Sequence, residues 1–212
     1  MNIREKWLSD QEKLAVDAFK EHEIAKESEG RWLIRKPGTG VFWTEVICTH
    51  HGGLYVDGDI DPIVFRYGPE HPLARVRWMG HRSHAWDGYF REKACIGMGG
   101  RGSDDVLHRF ERKVAIHDLD VDIAEELGEE GMPGLNNKSM ETIQRVKGLM
   151  AITHRLGSSE EYDRRDMLRD LYELDLWEDC DRIGRVPSYR MFYVHAALQR
   201  LFHLLTERGD YN

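Results

Sequence analysis

The chain is short of the residues that announce a chemistry. Its three cysteines, Cys48, Cys95 and Cys180, are far apart and odd in number, and no CxxC pair exists. Zinc fingers, iron–sulfur clusters and a disulfide framework are thereby excluded, and buried reduced thiols are expected. No apolar run approaches the length of a membrane span. The first residues, MNIREKWLSDQEKLAVDAFKEHE, are charged throughout and lack the apolar block of a signal peptide, so a soluble, cytoplasmic protein is expected, with no membrane partner. There is no GxSxG, no complete HExxH and no cysteine in a reactive setting, so nucleophilic catalysis has no support. No internal repeat and no low-complexity tract appears.

One loop looks at first like an exception. PGTG, Pro37 to Gly40, also occurs in nucleotide-binding loops, which need a lysine for the terminal phosphates and a hydroxyl for magnesium. Val41 and Phe42 follow here instead, and KPGTG joins two strand-like runs rather than a strand and a helix. A hairpin turn is expected, with Pro37 fixing φ and Gly38 accepting a positive φ. DGDIDP, Asp57 to Pro62, has the first three carboxylates of a calcium loop but lacks its glycine and its closing glutamate. Histidines are densest at His50-His51 and at His81 and His84, and HDLD, His117 to Asp120, holds a His-Asp pair. None completes a metal motif, so a metal site stays unassigned and no cofactor is expected.

What is present is apolar surface and uneven charge. Among 212 residues, 41% are hydrophobic, with six Trp and eight Tyr, which suffices to bury a core. The net charge of −8 is not shared evenly. Residues 1–100 carry 14 basic and 15 acidic side chains, whereas residues 101–212 carry 16 and 23. Direct nucleic-acid binding by the second half is disfavoured, and a basic protein surface becomes the complementary partner.

Pattern divides the chain in the same way. Ile3 to Ser28 has no Gly or Pro and places Trp7, Leu14, Ala15, Ala18 and Phe19 at helical spacing. From Arg31 to Tyr67, the runs RWLIR, VFWTEVICTH, GLYVDG and PIVFRY are β-branched and aromatic, separated by KPGTG, HGG and DID. They read as an antiparallel meander, and apolar residues on both faces of VFWTEVICTH suggest cover on both sides. HPLARVRWMG and SHAWDGYFREKACIGM then read as short helices, and GMGGRGS as a connector. Further helices are expected from Asp104 to about Leu127, at Lys138–Leu156, Ser159–Ile183 and Ser188–Arg208. The last carries a stripe of Met191, Val194, Leu198, Leu201, Leu204 and Leu205. The fold class is therefore α+β: an α+β domain over residues 1–100 with a small antiparallel meander packed against helices, then a C-terminal helical bundle over 103–212, either separate or packed into one domain with the first.

Two charge features invite function. Asp118 to Glu130 holds seven acidic residues, Asp118, Asp120, Asp122, Glu125, Glu126, Glu129 and Glu130, and no basic one. As a helix it would carry an apolar ridge of Ile116, Leu119, Ile123 and Leu127 with acids elsewhere, either a solvated face or a docking surface for a basic partner. Separately, Arg75, Arg77 and Arg82 lie near Trp78 and Trp86. Arginine and tryptophan together hold a phosphate and stack a base, or they cover apolar surface with their stems.

Residues 31–93 also show KPGTG, then GGLYVDGDI, then YFREK. In this order they resemble a set of small proteins encoded by bacteriophages and prophages. The resemblance implies an accessory protein acting on host defence, in the manner of anti-CRISPR inhibitors, or on nucleic-acid-handling machinery, with a host protein or ribonucleoprotein complex as partner. It carries over no catalytic residue. The expected function is inhibition or modulation by binding, without catalysis; the alternative is binding or metal-dependent cleavage of a nucleotide signal at Arg75, Arg77, Trp78, Arg82 and Trp86.

Overall fold

A computed structural model describes residues 2–59, 62–65, 71–81, 94–95, 108–129, 131–176 and 182–210. It is α+β, with an antiparallel sheet and surrounding helices, as the pattern requires. Its internal contacts divide the chain into two units, Met1–Trp7 with Phe110–Val186 and Leu8–Arg109 with Pro187–Asn212. The sequence pattern divides near residue 103. The difference lies in the final helix, which belongs with the sheet, and in the first seven residues, which belong with the helical unit.

The sheet-bearing unit contains six strands in sequence order, each antiparallel to the next: β1 (Glu23–Ser28), β2 (Arg31–Arg35), β3 (Thr44–Cys48), β4 (Leu54–Gly58), β5 (Ile63–Phe65) and β6 (Ala94–Cys95). The helix α1 (Ile3–Phe19) stops nine residues before Ser28, the end expected from its composition. The remaining segment, EIAKES, is strand β1. Its glutamates and lysine favour a helix locally, but pairing with β2 outweighs that preference, and as an edge strand it keeps nearly every side chain in solvent. Glu27 ties it down, accepting from Trp32 Nε1 at 2.9 Å and from Arg208 Nη1 at 2.7 Å.

Strand alternation follows one buried face. Trp32 and Ile34 of β2, Thr44 and Val46 of β3, and Leu54 and Val56 of β4 are buried, while Arg31, Arg35, Tyr55 and Asp57 are exposed. Cover on both sides, suggested by VFWTEVICTH, is therefore corrected: Val41 and Trp43 precede the strand and are exposed. The KPGTG loop is the expected turn, with Thr39 N–H donating to the Lys36 carbonyl at 3.3 Å and Gly38 at φ +72°. The unit is completed by α2 (Pro72–Gly80) and by the last helix of the chain (Tyr189–Glu207). Met191, Val194, Leu198, Leu201 and Leu205 of that stripe are buried, and Leu204 is half-buried. A side chain at Gly80 would meet the Leu198 carbonyl at 2.7 Å and Phe202 Cβ at 2.8 Å, so glycine there allows these two helices their close approach.

The helical unit holds α3 (Arg112–Leu127), the one-turn α4 (Gly131–Gly134) with a 3₁₀ turn at Leu135–Asn137, α5 (Met140–Ser158) and α6 (Arg164–Glu173). The helix expected from Asp104 begins only at Arg112. Before it, β7 (His108–Phe110) pairs with β8 (Arg185–Pro187), and the final helix, α7 by this count, follows. Among the described residues, the helix expected over Ser159–Ile183 is present as α6, and Ala94–Cys95, read as helical, is a strand. The rest of SHAWDGYFREKACIGM and the connector GMGGRGS lie outside the described residues.

Caps mark the helix starts: Ser139 accepts from the Thr142 N–H at 3.1 Å, and Asp163 from the Arg165 and Asp166 N–H groups at 2.7 and 3.1 Å. The core gathers Ala115, Leu119, Leu149, Ile152, Leu156, Met167, Leu171 and Ile183, with a satellite of Leu127, Leu135 and Val146. Ile116 and Ile123 pack against these clusters, completing the expected ridge of α3. Arg112 supports this unit from the first turn of α3. Its guanidinium donates to the carbonyls of Leu156 (3.0 Å), Ser159, Glu160 (3.0 Å) and Tyr162 (2.8 Å), closing the end of α5 and the loop beyond it. Among the described residues, no helix is long and apolar enough to cross a membrane.

Candidate functional site

The acidic run of α3 separates into three kinds of residue. Asp118 is buried and structural: it pairs with Arg4 (Oδ2 to Nη2, 2.7 Å; Oδ1 to Nε, 3.3 Å) and accepts the Gly184 N–H at 2.8 Å. It offers no charge to a partner, which corrects its place on the expected docking surface. Asp122 and Glu126 are half-buried and paired, with Arg182 at 2.6 Å and with Arg145 at 2.9 Å. The Glu126 hydrogen bond raises the Arg145 pKa above its ordinary value and holds that guanidinium charged. Asp120, Glu125 and Glu129 are exposed, and Glu130 lies outside the described residues.

These residues rim a pocket of about 300 Å³. Asp122, Glu125, Glu126, Arg145 and Arg182 supply its charged edge, and Leu149, Leu176 and Ile183 line it with apolar surface. Three carboxylates face two guanidiniums, so the excess is negative. The arrangement suits a cationic side chain with an apolar stem, which the pocket wall would cover while Glu125 meets the charge. The unit as a whole carries 20 acidic and 13 basic residues, so it holds −7 of the chain's −8.

The arginine–tryptophan group is divided more sharply. Arg75 is fully buried, and its Nη1 donates to the carbonyls of Thr49 (2.7 Å) and Gly53 (2.5 Å), pinning the turn between β3 and β4. It is committed to the fold and is not a ligand residue. Beside it, burial pushes the Cys48 thiol up to about 11, against a smaller opposing effect of the Arg75 charge, so this thiol stays protonated at neutral pH. Arg77 is exposed and Trp78 half-buried; with Ala74 and His81 they line a cavity of about 330 Å³. Arg82 and Trp86 lie outside the described residues.

His50, His51, Asp57 and Asp59 are exposed, and the Asp57 carboxylate accepts the neighbouring Gly58 N–H at 2.8 Å. No group of three or more His, Cys, Asp or Glu among the described residues is placed to hold a metal ion. Asp61 and His84 fall outside those residues.

Sequence reading missed a concavity larger than the pocket on α3. A groove of about 580 Å³ opens between the end of α1 (Val16, Phe19, Lys20), the end of α2 (Gly80, His81) and one face of α7 (Ala196, Gln199, Arg200, Phe202, His203). Its side chains come from three segments far apart in the sequence, so no local pattern marks it. The histidine and arginine of QRLFH were the visible signal, but they become a site only when α2 packs on α7.

No family model matches this chain, and neither a curated protein nor a solved structure matches it.

Proposed function

We propose that the helical unit is a docking surface for a basic face of a host protein or ribonucleoprotein complex, and that the protein is a phage-type accessory factor that inhibits or modulates that machinery by occupying it, without catalysis. The observation that carries this reading is the pocket on α3, where a carboxylate rim meets an apolar wall within a unit of net charge −7. Negative excess steers a basic partner over a Debye length, and a concave anchor point gives the encounter a fixed register. The resemblance of residues 31–93 to phage proteins supplies the biological setting.

The test reverses only exposed charges. Asp120→Lys, Glu125→Lys and Glu129→Lys together leave the Arg4–Asp118, Arg182–Asp122 and Arg145–Glu126 pairs in place. Tagged protein recovered from phage-infected bacteria is expected to bring down a stoichiometric host complex, and the folded triple variant to lose it. Full capture by that variant would sink the acidic-surface mechanism.

A further inference from the structure

The groove on the sheet-bearing unit has a chemistry opposite to that of α3. Two cavities of about 580 and 330 Å³ adjoin at His81, which lines both. Each volume lies in the range of small-molecule sites. Among the described residues neither is lined by a carboxylate, although the chain carries 38 acidic residues to 30 basic. The polar lining is instead mostly cationic or imidazole: Lys20, Arg200, His81 and His203 with the amide of Gln199 in the larger cavity, Arg77 and His81 in the smaller. Between them stand aromatic surfaces. His81 and Phe202 meet edge to face with centroids 6.0 Å apart, and Trp78 lines the smaller cavity.

The cations are differently committed. Arg200 donates Nε to the His22 carbonyl at 2.8 Å, which fixes the plane of its guanidinium while using one of its three nitrogens. A guanidinium held at Nε presents a pre-organised fork for an oxyanion. Lys20, Arg77 and His203 are exposed, and among the described residues no carboxylate lies within ion-pair distance of Lys20. Flat apolar faces beside a fixed guanidinium and exposed cations match a ligand with a planar ring and a phosphate.

We propose that this groove binds a nucleoside phosphate, the ring against Phe202 and Trp78 and the phosphate toward Arg200 and Lys20. It is a second site, on the other unit from the docking surface, and does not depend on it. Arg75, named with Arg77 and Trp78 on sequence grounds, has no part in it.

The test is calorimetric titration of the whole chain with ATP and with GMP, beside adenosine and inorganic phosphate. One nucleotide is expected to bind per chain, with adenosine and phosphate each at least about tenfold weaker, because each offers only half of the recognised chemistry. The exposed triple variant Lys20→Gln, Arg77→Gln, His203→Gln is expected to bind ATP at least about tenfold more weakly with an unchanged unfolding midpoint. Arg200→Lys, which keeps the charge and removes the fork, is a second probe with the same expected direction. Absence of heat with both nucleotides, undiminished binding by the triple variant, or phosphate binding as tightly as ATP overturns the proposal; the cations would then serve only the C-terminal ends of α1 and α2.

Discussion

Removing the Asp118 carboxylate tests the division of the acidic run most directly. In Asp118→Ala, Arg4 loses two charge-assisted hydrogen bonds but keeps the carbonyls of Arg185 and Arg182, each at 3.0 Å. Its guanidinium is therefore not stranded. The buried Gly184 N–H is the group left without an acceptor. An orphaned buried donor costs about 1–3 kcal/mol, and a hydrogen bond to a charged group contributes about 1.5–3 kcal/mol. Arg4 is one-third exposed, so water recovers part of the ionic loss. A net cost of about 3 kcal/mol follows. In a chain of this size each kcal/mol moves the thermal midpoint by about 2–4 °C, so a fall of about 6–12 °C is expected. Asp118→Asn keeps an acceptor for Gly184 and loses the charge, and is expected to fall about half as far. Calorimetry is the suitable assay because it follows the transition to which the helical unit contributes, and Asp120→Ala, two positions along the same helix and exposed, is the control. A midpoint within about 1 °C of wild type for Asp118→Ala, combined with lost partner capture, would refute the structural assignment and return Asp118 to the docking face.

Two further predictions follow from buried polar groups. Arg112→Ala should lower urea stability by about 2–3 kcal/mol, and Arg112→Lys should recover little of it, because one ammonium cannot fork across four carbonyls; full recovery by lysine would show that charge alone is needed. His22 is buried and its pKa lies below the ordinary 6.5, chiefly through that burial; its Nε2 donates to the Phe42 carbonyl at 2.9 Å while Nδ1 has no hydrogen-bond partner among the described residues. The unfolded chain takes up the proton first, so stability is full above about pH 6.5 and declines as pH falls toward the folded value. His22→Gln should flatten that decline in thermal melts between about pH 7.5 and 5.5, and parallel curves for the two proteins would remove His22 from the account.

How much of this was legible depends on the range of the interaction that decides each element. The meander was, because β-branched runs broken by Pro-Gly, Gly-Gly and Asp pairs carry their own turns, and Gly38 takes the φ its neighbours demand. The ridge of α3 and the stripe of α7 were, because each repeats every three or four residues over a long helix. Strand β1 was not. EIAKES has helical composition, and only its pairing with β2, register-shifted between Ile24 and Lys26, makes it a strand. The division into two units is not legible in composition, because a helix at one end of the sequence joins a sheet begun at the other.

The same distinction governs the sites. A run of seven acids is visible as charge, but a sequence does not say which carboxylate turns inward. Asp118 follows His117 and precedes Leu119 on α3, and its position beside the core, rather than its type, assigns it to Arg4 and Gly184. Arg75 and Arg77 differ by two positions on one short helix, which places them about 200° apart around its axis. One is sealed inside the fold and the other reaches solvent beside Trp78. Type therefore nominates residues and periodicity selects among them. For the acidic run this leaves Asp120, Glu125 and Glu129 exposed; for the arginine group it leaves Arg77, in a cavity that adjoins at His81 the groove where Lys20, Arg200 and His203 are brought together.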